Sequence, residues 1–257
     1  MADTYLMTWR NLMYYVRNPY WIFLAVVQPI MFTLLFVFVF GGAIDTGKVS
    51  YADYALPGII VQTVVFSSLA SGINVADDMA KGVMDRFRSL PISRGTVLSA
   101  RTLSDNVRNT AGALIMAGVG FLVGYRFHGT FGAAMVALGL ALLFGYAFAW
   151  IAATIGLLAK NTQTAEVAGF TWTFPVVFAS SIFVPTGTMP DWLQAFAKVN
   201  PVTITADAVR HLSLGVPLAG VRLFGVEVNE ALVSLGWSVG IIVVFHVLAV
   251  WRFRRLA

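Results

Sequence analysis

Three stretches of the sequence carry residue types whose spacing could do chemistry. Gly42-Ala43-Ile44-Asp45-Thr46-Gly47-Lys48-Val49 sets two glycines and a lysine as in a loop that wraps phosphate in backbone N–H groups. The position after the lysine, where a hydroxyl would reach magnesium, is Val49, and no buried strand precedes the stretch, so no nucleotide site is expected there. Gly236-Trp237-Ser238-Val239-Gly240 has the spacing of a nucleophile elbow, with His246 eight residues on. An elbow needs a sharp strand-to-helix turn, whereas these residues sit inside an apolar helical run. Gly236 and Gly240, like Gly120 and Gly124, instead predict a small-residue face for close helix packing. The third stretch, Gly82 to Arg94, mixes Asp85, Arg86 and Arg88 with Met84, Phe87 and Leu90 before Pro91. That composition suits docking to a partner better than catalysis, with an apolar knob and a charged rim. His128, His211 and His246 are too scattered for a metal site, and the chain has no cysteine. The expectation is a chain with no catalytic residue, no metal and no cofactor of its own.

The elements that position these stretches follow from composition. Of 257 residues, 58% are hydrophobic and 11% charged, against about 25% charged in an ordinary soluble domain. So few charges cannot cover a water-soluble fold. Apolar runs predict an all-α, polytopic membrane protein forming one domain over 1–257, with six spans near 21–42, 55–75, 107–125, 132–158, 167–184 and 231–250. The first run is too long for a signal-peptide core, so it is expected to stay as a span. Pro29, Pro57 and Pro175 are placed to bend their helices.

The net charge of +5 reads as membrane topology and not as nucleic-acid binding. With the N-terminus inside, the cytoplasmic side holds Arg10, Arg17, Lys81, Arg86, Arg88, Arg94, Arg101, Arg108, Lys160, Arg252, Arg254 and Arg255. Lys48, Arg126, Lys198, Arg210 and Arg222 fall outside, and twelve against five puts both termini in the cytoplasm. Leu6, Trp9, Met13 and Val16 recur at helical spacing, which predicts an interfacial helix over 1–20, as anchor or partner contact. Two loops exceed simple connectors. The cytoplasmic one spans 76–106, and the extracellular one spans 185–230 with short helical patterns at 190–199 and 202–214.

The spans themselves offer no Asp, Glu, Lys or Arg away from their edges. Ion-coupled carriers place such groups at mid-membrane to bind the driving ion. An ion-coupled secondary carrier is therefore the weaker reading, as is an intramembrane enzyme built on Ser238, and energy is expected from elsewhere.

The string Asp85-Arg86-Phe87-Arg88-Ser89-Leu90-Pro91-Ile92 resembles the coupling-helix region of ABC type-2 transporter permeases, closest to the daunorubicin/doxorubicin-resistance permease group. Ser180-Ser181-Ile182-Phe183-Val184-Pro185, Thr188 to Phe196 and Asn200-Pro201-Val202-Thr203 resemble the segment before that group's last span. The resemblance implies the type V exporter fold in a bacterial plasma membrane, with a second permease copy or a paralogue. It also implies a separate cytoplasmic ABC ATPase that binds ATP and Mg. On that reading Met84, Asp85, Arg86, Phe87, Arg88, Leu90 and Pro91 couple to the ATPase. Gln28, Phe32, Phe36, Gln62, Phe66, Thr171, Trp172 and Phe178 line a path for a hydrophobic or amphipathic substrate, its aromatic faces and amides suiting flat or cationic molecules. Phe183, Pro185, Met189, Trp192 and Phe196 form an outer gate.

Overall fold

A computed structural model of the chain describes residues 27, 29–44, 46, 49–82, 94–223 and 226–255. The expected interfacial helix over 1–20 lies outside them. The described chain is mostly helical. Helix α1 (Pro29–Phe40) ends in a π-helical stretch, Leu35–Phe40. It is followed by α2 (Tyr51–Ala80), α3 (Arg94–Val123), α4 (Phe131–Leu158) and α5 (Thr162–Phe178). Then come a 3₁₀ turn at Thr186–Thr188, α6 (Asp191–Val199), α7 (Pro201–Leu214), strands β1 (Gly220–Leu223) and β2 (Val226–Asn229), and α8 (Glu230–Arg255). Among the described residues, Tyr51–Ala80, Phe131–Leu158 and Glu230–Phe253 are long and apolar enough to cross a membrane.

Local chemistry sets the helix starts. Ser50 Oγ accepts from the Asp53 amide at 3.1 Å and donates to the Asp53 carboxylate at 2.7 Å, satisfying an orphan donor at the head of α2. Thr130 caps α4 through the Ala133 amide (3.2 Å), and Asn161 caps α5 through the Thr164 amide (2.7 Å). Pro201 opens α7, where its missing N–H costs nothing, and Gly215 closes it at φ +67°.

Helix α4 runs through the centre, packing against α2, α8, α7 and α3. Where α2 crosses α4 the backbones touch. A Cβ on Gly156 would stand 2.2 Å from the Gly72 carbonyl oxygen, and one on Gly72 would stand 2.4 Å from that of Ala152. Leu56, Ile59, Phe144, Phe148, Ile182 and Val202 are buried in the main core, and Val75, Trp150, Leu157 and Phe253 form a second cluster.

Four expectations change. The chain is not wholly α, because β1 and β2 pair antiparallel with Val221 opposite Val228. The loop read as 76–106 is mostly helix: α2 runs on to Ala80 and α3 starts at Arg94. Helix α5 stops at Phe178, short of 184, because its last carbonyls are capped from elsewhere. Gly124, Gly236 and Gly240 have open space where a Cβ would go, so they mark no close helix contact within the described chain, Gly124 lying past the end of α3 at φ +105°, whereas Gly120 packs against Leu56. The two short helices predicted in the outer segment form at Asp191–Val199 and Pro201–Leu214.

Candidate functional site

Helix α7 carries a buried cation that ties three elements together. Pro57 cannot donate to the preceding turn of α2, which loosens the carbonyls there. Arg210 Nε donates to the neighbouring Tyr54 carbonyl at 2.7 Å, and Nη2 donates to the Ser181 carbonyl at 2.8 Å. Its Nη1 pairs with Asp207, one turn back on α7. The guanidinium also lies 3.9 Å over the Tyr54 ring, a stacked cation–π geometry. Ser181 Oγ donates to Asp207 (2.6 Å), while the Tyr54 and Tyr51 hydroxyls donate to the Ser181 (2.8 Å) and Phe183 (2.9 Å) carbonyls. Asn200 completes this clasp. Its Nδ2 donates to the Val176 and Ala179 carbonyls at the end of α5, and its Oδ1 accepts from the Val202 amide at the head of α7. The head of α2, the turn after α5 and α7 are thereby one polar unit.

A second polar contact staples α2 to α3 nearer the other end. Ser71 Oγ donates to the buried Asp105, and Arg108 Nη2 donates to the Ser67 carbonyl at 2.7 Å. Asp105 and Arg108 face each other at 3.8 Å. The helix therefore carries a buried carboxylate that the expected span, starting at 107, had left in a loop.

Between these contacts lies an aromatic seam. Phe36 stacks on Phe183 (4.1 Å between ring centroids), Phe183 on Phe178 (5.3 Å) and Phe178 on Phe174 (4.2 Å), with Phe32 beside Phe36, Phe178 and Phe183. Phe66 of α2 faces Phe170 and Phe174 of α5. Gln62, one turn before Phe66, is buried, and its Oε1 meets no hydrogen-bond partner among the described residues. Trp172 instead turns toward α4, stacked on Phe148 at 5.4 Å. Thr171 is exposed and donates back to the Val167 carbonyl.

The sequence matches the ABC-2 type transporter family over residues 2–214. The chain belongs to that family. It is 33% identical over 207 residues, 80% of this chain and 73% of the relative, to the daunorubicin resistance ABC transporter permease protein DrrB1 of Streptomyces coeruleorubidus. It is 26% identical over 259 residues, 99% of this chain and 89% of the relative, to the probable doxorubicin resistance ABC transporter permease protein DrrC of Mycobacterium tuberculosis. The putative transport permease ycf38 of Cyanophora paradoxa is 24% identical over 245 residues, 93% and 83% of the two chains.

In this ABC-2 chain the structure brings Phe32, Phe36 and Phe178, all partly buried, against buried Phe183, so path and gate candidates meet in one packed aromatic cluster. Pro185 and Met189 bracket the 3₁₀ turn, and Trp192 and Phe196 are exposed on α6. Gln28 and the coupling residues Met84, Asp85, Arg86, Phe87, Arg88, Leu90 and Pro91 lie outside the described residues. In the elbow-like stretch, Ser238 Oγ donates to the Ser234 carbonyl of its own helix (2.9 Å), and His246 packs against Trp150. His211 sits elsewhere, paired with Glu230, and the described residues hold no cluster fit for a metal. Sequence reading missed the Arg210 clasp and the Asp105 staple. For the first a signal existed, since Asp207 and Arg210 carry opposite charges one turn apart on the same helix.

Proposed function

We propose that this chain is the membrane-spanning permease subunit of an ATP-driven exporter of hydrophobic or amphipathic compounds. The observation that carries the reading is the family match over residues 2–214, supported by relatives named as drug-resistance permeases. In this reading the chain crosses a bacterial plasma membrane six times with both termini in the cytoplasm. A separate ABC ATPase binds ATP and Mg and does the hydrolysis, and a second permease, identical or paralogous, completes the path.

Force would enter at the Met84–Pro91 stretch, where Phe87 and Leu90 offer an apolar knob and Asp85, Arg86 and Arg88 a charged rim. The stretch joins α2 to α3, each 30 residues and so about 45 Å long. The Ser71–Asp105 and Arg108–Ser67 contacts make the two helices move as a pair. A push on that pair reaches the Arg210 clasp through α2 and, from there, the turn that holds Phe183. Opening would part the aromatic seam, exposing Phe32, Phe36, Phe66 and Phe178 beside the Gln62 amide, a surface suited to flat amphipathic or cationic molecules. Helix α7 is built into the core, so the moving part of the gate is the turn from Pro185 and Met189 into α6 with Trp192 and Phe196.

The test uses inside-out vesicles containing the chain and its ATPase, with daunorubicin as the probe. Uptake is expected to need ATP and to survive collapse of the proton gradient. Phe87→Ala with Arg88→Glu is expected to abolish uptake while membrane insertion persists. Uptake that continues without ATP, or that follows the ion gradient, overturns the reading in favour of an ion-coupled carrier.

A further inference from the structure

A cavity of about 340 Å³, lined by none of the aromatic residues of the seam, opens near the end of α3 and the start of α4. Its floor is Pro57 and Ile60 of α2 with Val209 of α7, and its walls are Ala117 and Phe121 of α3 facing Ala134 and Met135 of α4. Its lining includes two residues with side-chain hydroxyls, Ser213 and Tyr125; these hydrogen-bond to each other, and Ser213 Oγ also donates to the Arg210 carbonyl at 3.1 Å, so both are already engaged. Its mouth is flanked by Leu114, Phe121, Phe131 and Met135, all exposed on helices of a membrane protein, so the medium at the mouth is hydrocarbon.

We infer that this cavity holds one acyl chain of a bilayer phospholipid whose phosphate sits at Arg126. Small-molecule pockets of several hundred Å³ carry a few placed polar groups that fix a drug-like ligand. Here the lining is almost wholly carbon and its two hydroxyl-bearing residues, Tyr125 and Ser213, bond to each other, which rewards an alkyl chain and gives a polar cargo little to hold. Arg126 stands at the rim, between the lining residues Tyr125 and Phe127. Its Nη1 donates to the Phe121 and Tyr125 carbonyls at 2.9 Å each, and its backbone amide to Asp53 at 2.8 Å. The side chain is therefore anchored to the end of α3 while remaining exposed. An anchored guanidinium is suited to a phosphate, which it can bind in a forked geometry. The Asp53 carboxylate beside it is engaged by the Arg126 amide and the Ser50 hydroxyl, which blunts its repulsion of an anion. The inference rests on the membrane placement in the proposed function and is independent of ATP-driven export.

The purified chain is reconstituted in phosphatidylethanolamine–phosphatidylglycerol vesicles containing a trace of phosphatidylglycerol with a photoactivatable diazirine on one acyl chain. Adducts are mapped by peptide mass spectrometry. They are expected to concentrate on Phe121, Phe131 and Met135 relative to Val243 and Val247, which are exposed on α8. Ala117→Phe and Ala134→Phe fill the cavity from opposite walls, so either suffices if the other fails to fold. Each is expected to cut cavity labelling about tenfold, or ~1.4 kcal/mol, with α8 labelling unchanged as the control for folding. Arg126→Gln is expected to lower the phospholipid adducts and leave those of a diazirine fatty alcohol, which has no phosphate, intact. Cavity labelling equal to that on α8 and unaffected by filling overturns the proposal. So does competition by excess daunorubicin, which would make the cavity a cargo site. Equal loss of both probes in Arg126→Gln overturns the headgroup assignment.

Discussion

Replacing Arg210 with methionine keeps most of the side chain's length and removes its charge and its forked donors. In the folded protein that leaves the Tyr54 and Ser181 carbonyls, held at 2.7 and 2.8 Å, without this donor, and the Asp207 carboxylate without its cation. Breaking a buried ion pair from one side costs about 3–5 kcal/mol. The Arg210 side chain is 6% exposed but that of Asp207 is 29% exposed, so water recovers part of the loss. The expected cost sits at the low end, about 3 kcal/mol. Arg210→Lys keeps a point charge that cannot reach three acceptors at once, and should cost about half as much. Adding Asp207→Leu to Arg210→Met removes the stranded carboxylate and should recover stability relative to the single variant. Denaturant unfolding in mixed micelles, followed by tryptophan fluorescence, measures all three. An Arg210→Met protein within about 0.5 kcal/mol of the parent would refute the clasp as a stabilising unit.

Other outcomes follow from geometry and titration. Gly156→Val drives a Cβ to within 2.2 Å of the Gly72 carbonyl oxygen and should destabilise by about 1–3 kcal/mol or more. Gly139→Ala, which meets nothing within 4 Å, should be neutral or stabilise by up to about 1 kcal/mol. Unfolding midpoints of the two variants compare them directly. The hydrogen bond to buried Glu230 raises the His211 pKa above its ordinary value, against the opposing effect of burial. Its contribution to stability is thus complete below about pH 6.5 and is lost as pH rises through the raised folded value. The difference in unfolding midpoint between the parent and His211→Gln should shrink across that interval, and a pH-independent difference would count against the pairing.

The helical framework was legible because long apolar runs are local signals, whereas the caps at Ser50, Thr130 and Asn161 came only with the structure. What escaped was long-range or main-chain chemistry. Arg210 bonds carbonyls at positions 54 and 181, and no residue type in the sequence announces an exposed carbonyl. The end of α5 was placed late for the same reason: hydropathy continues to 184, but the Asn200 side chain takes up the carbonyls of 176 and 179. Hydropathy also started the third span only at 107, since Ser104, Asp105 and Asn106 are polar. The helix persists through them because Asp105 is bonded to Ser71 of α2. The hairpin had a readable pattern, with Val221 and Leu223 alternating on one strand and Val226 and Val228 on the other, but four-residue strands are too short to stand out beside long apolar helices. Among the aromatic residues named for the path, Phe32, Phe36 and Phe178 pack with Phe183, and Phe66 meets the same row through Phe174. Trp172 followed the opposite face of α5 toward Phe148, which spacing along one helix could not decide.

The crossing of Gly72 and Gly156 also sets a mechanical ratio. Backbones in direct contact resist sliding, so in the proposed export cycle a tilt of α2 would pivot where the approach is tightest, at Gly72. Gly72 stands eight residues from Ala80 and twenty-one from Tyr51. At 1.5 Å per residue the arms are roughly 12 Å and 32 Å. A tilt that shifts the Ala80 end by one ångström swings the Tyr51 end by about two and a half. The short arm lies on the side of the Met84–Pro91 stretch and the long arm ends at the Arg210 clasp, so in the proposed export cycle the helix would work as a stroke multiplier that trades force for travel.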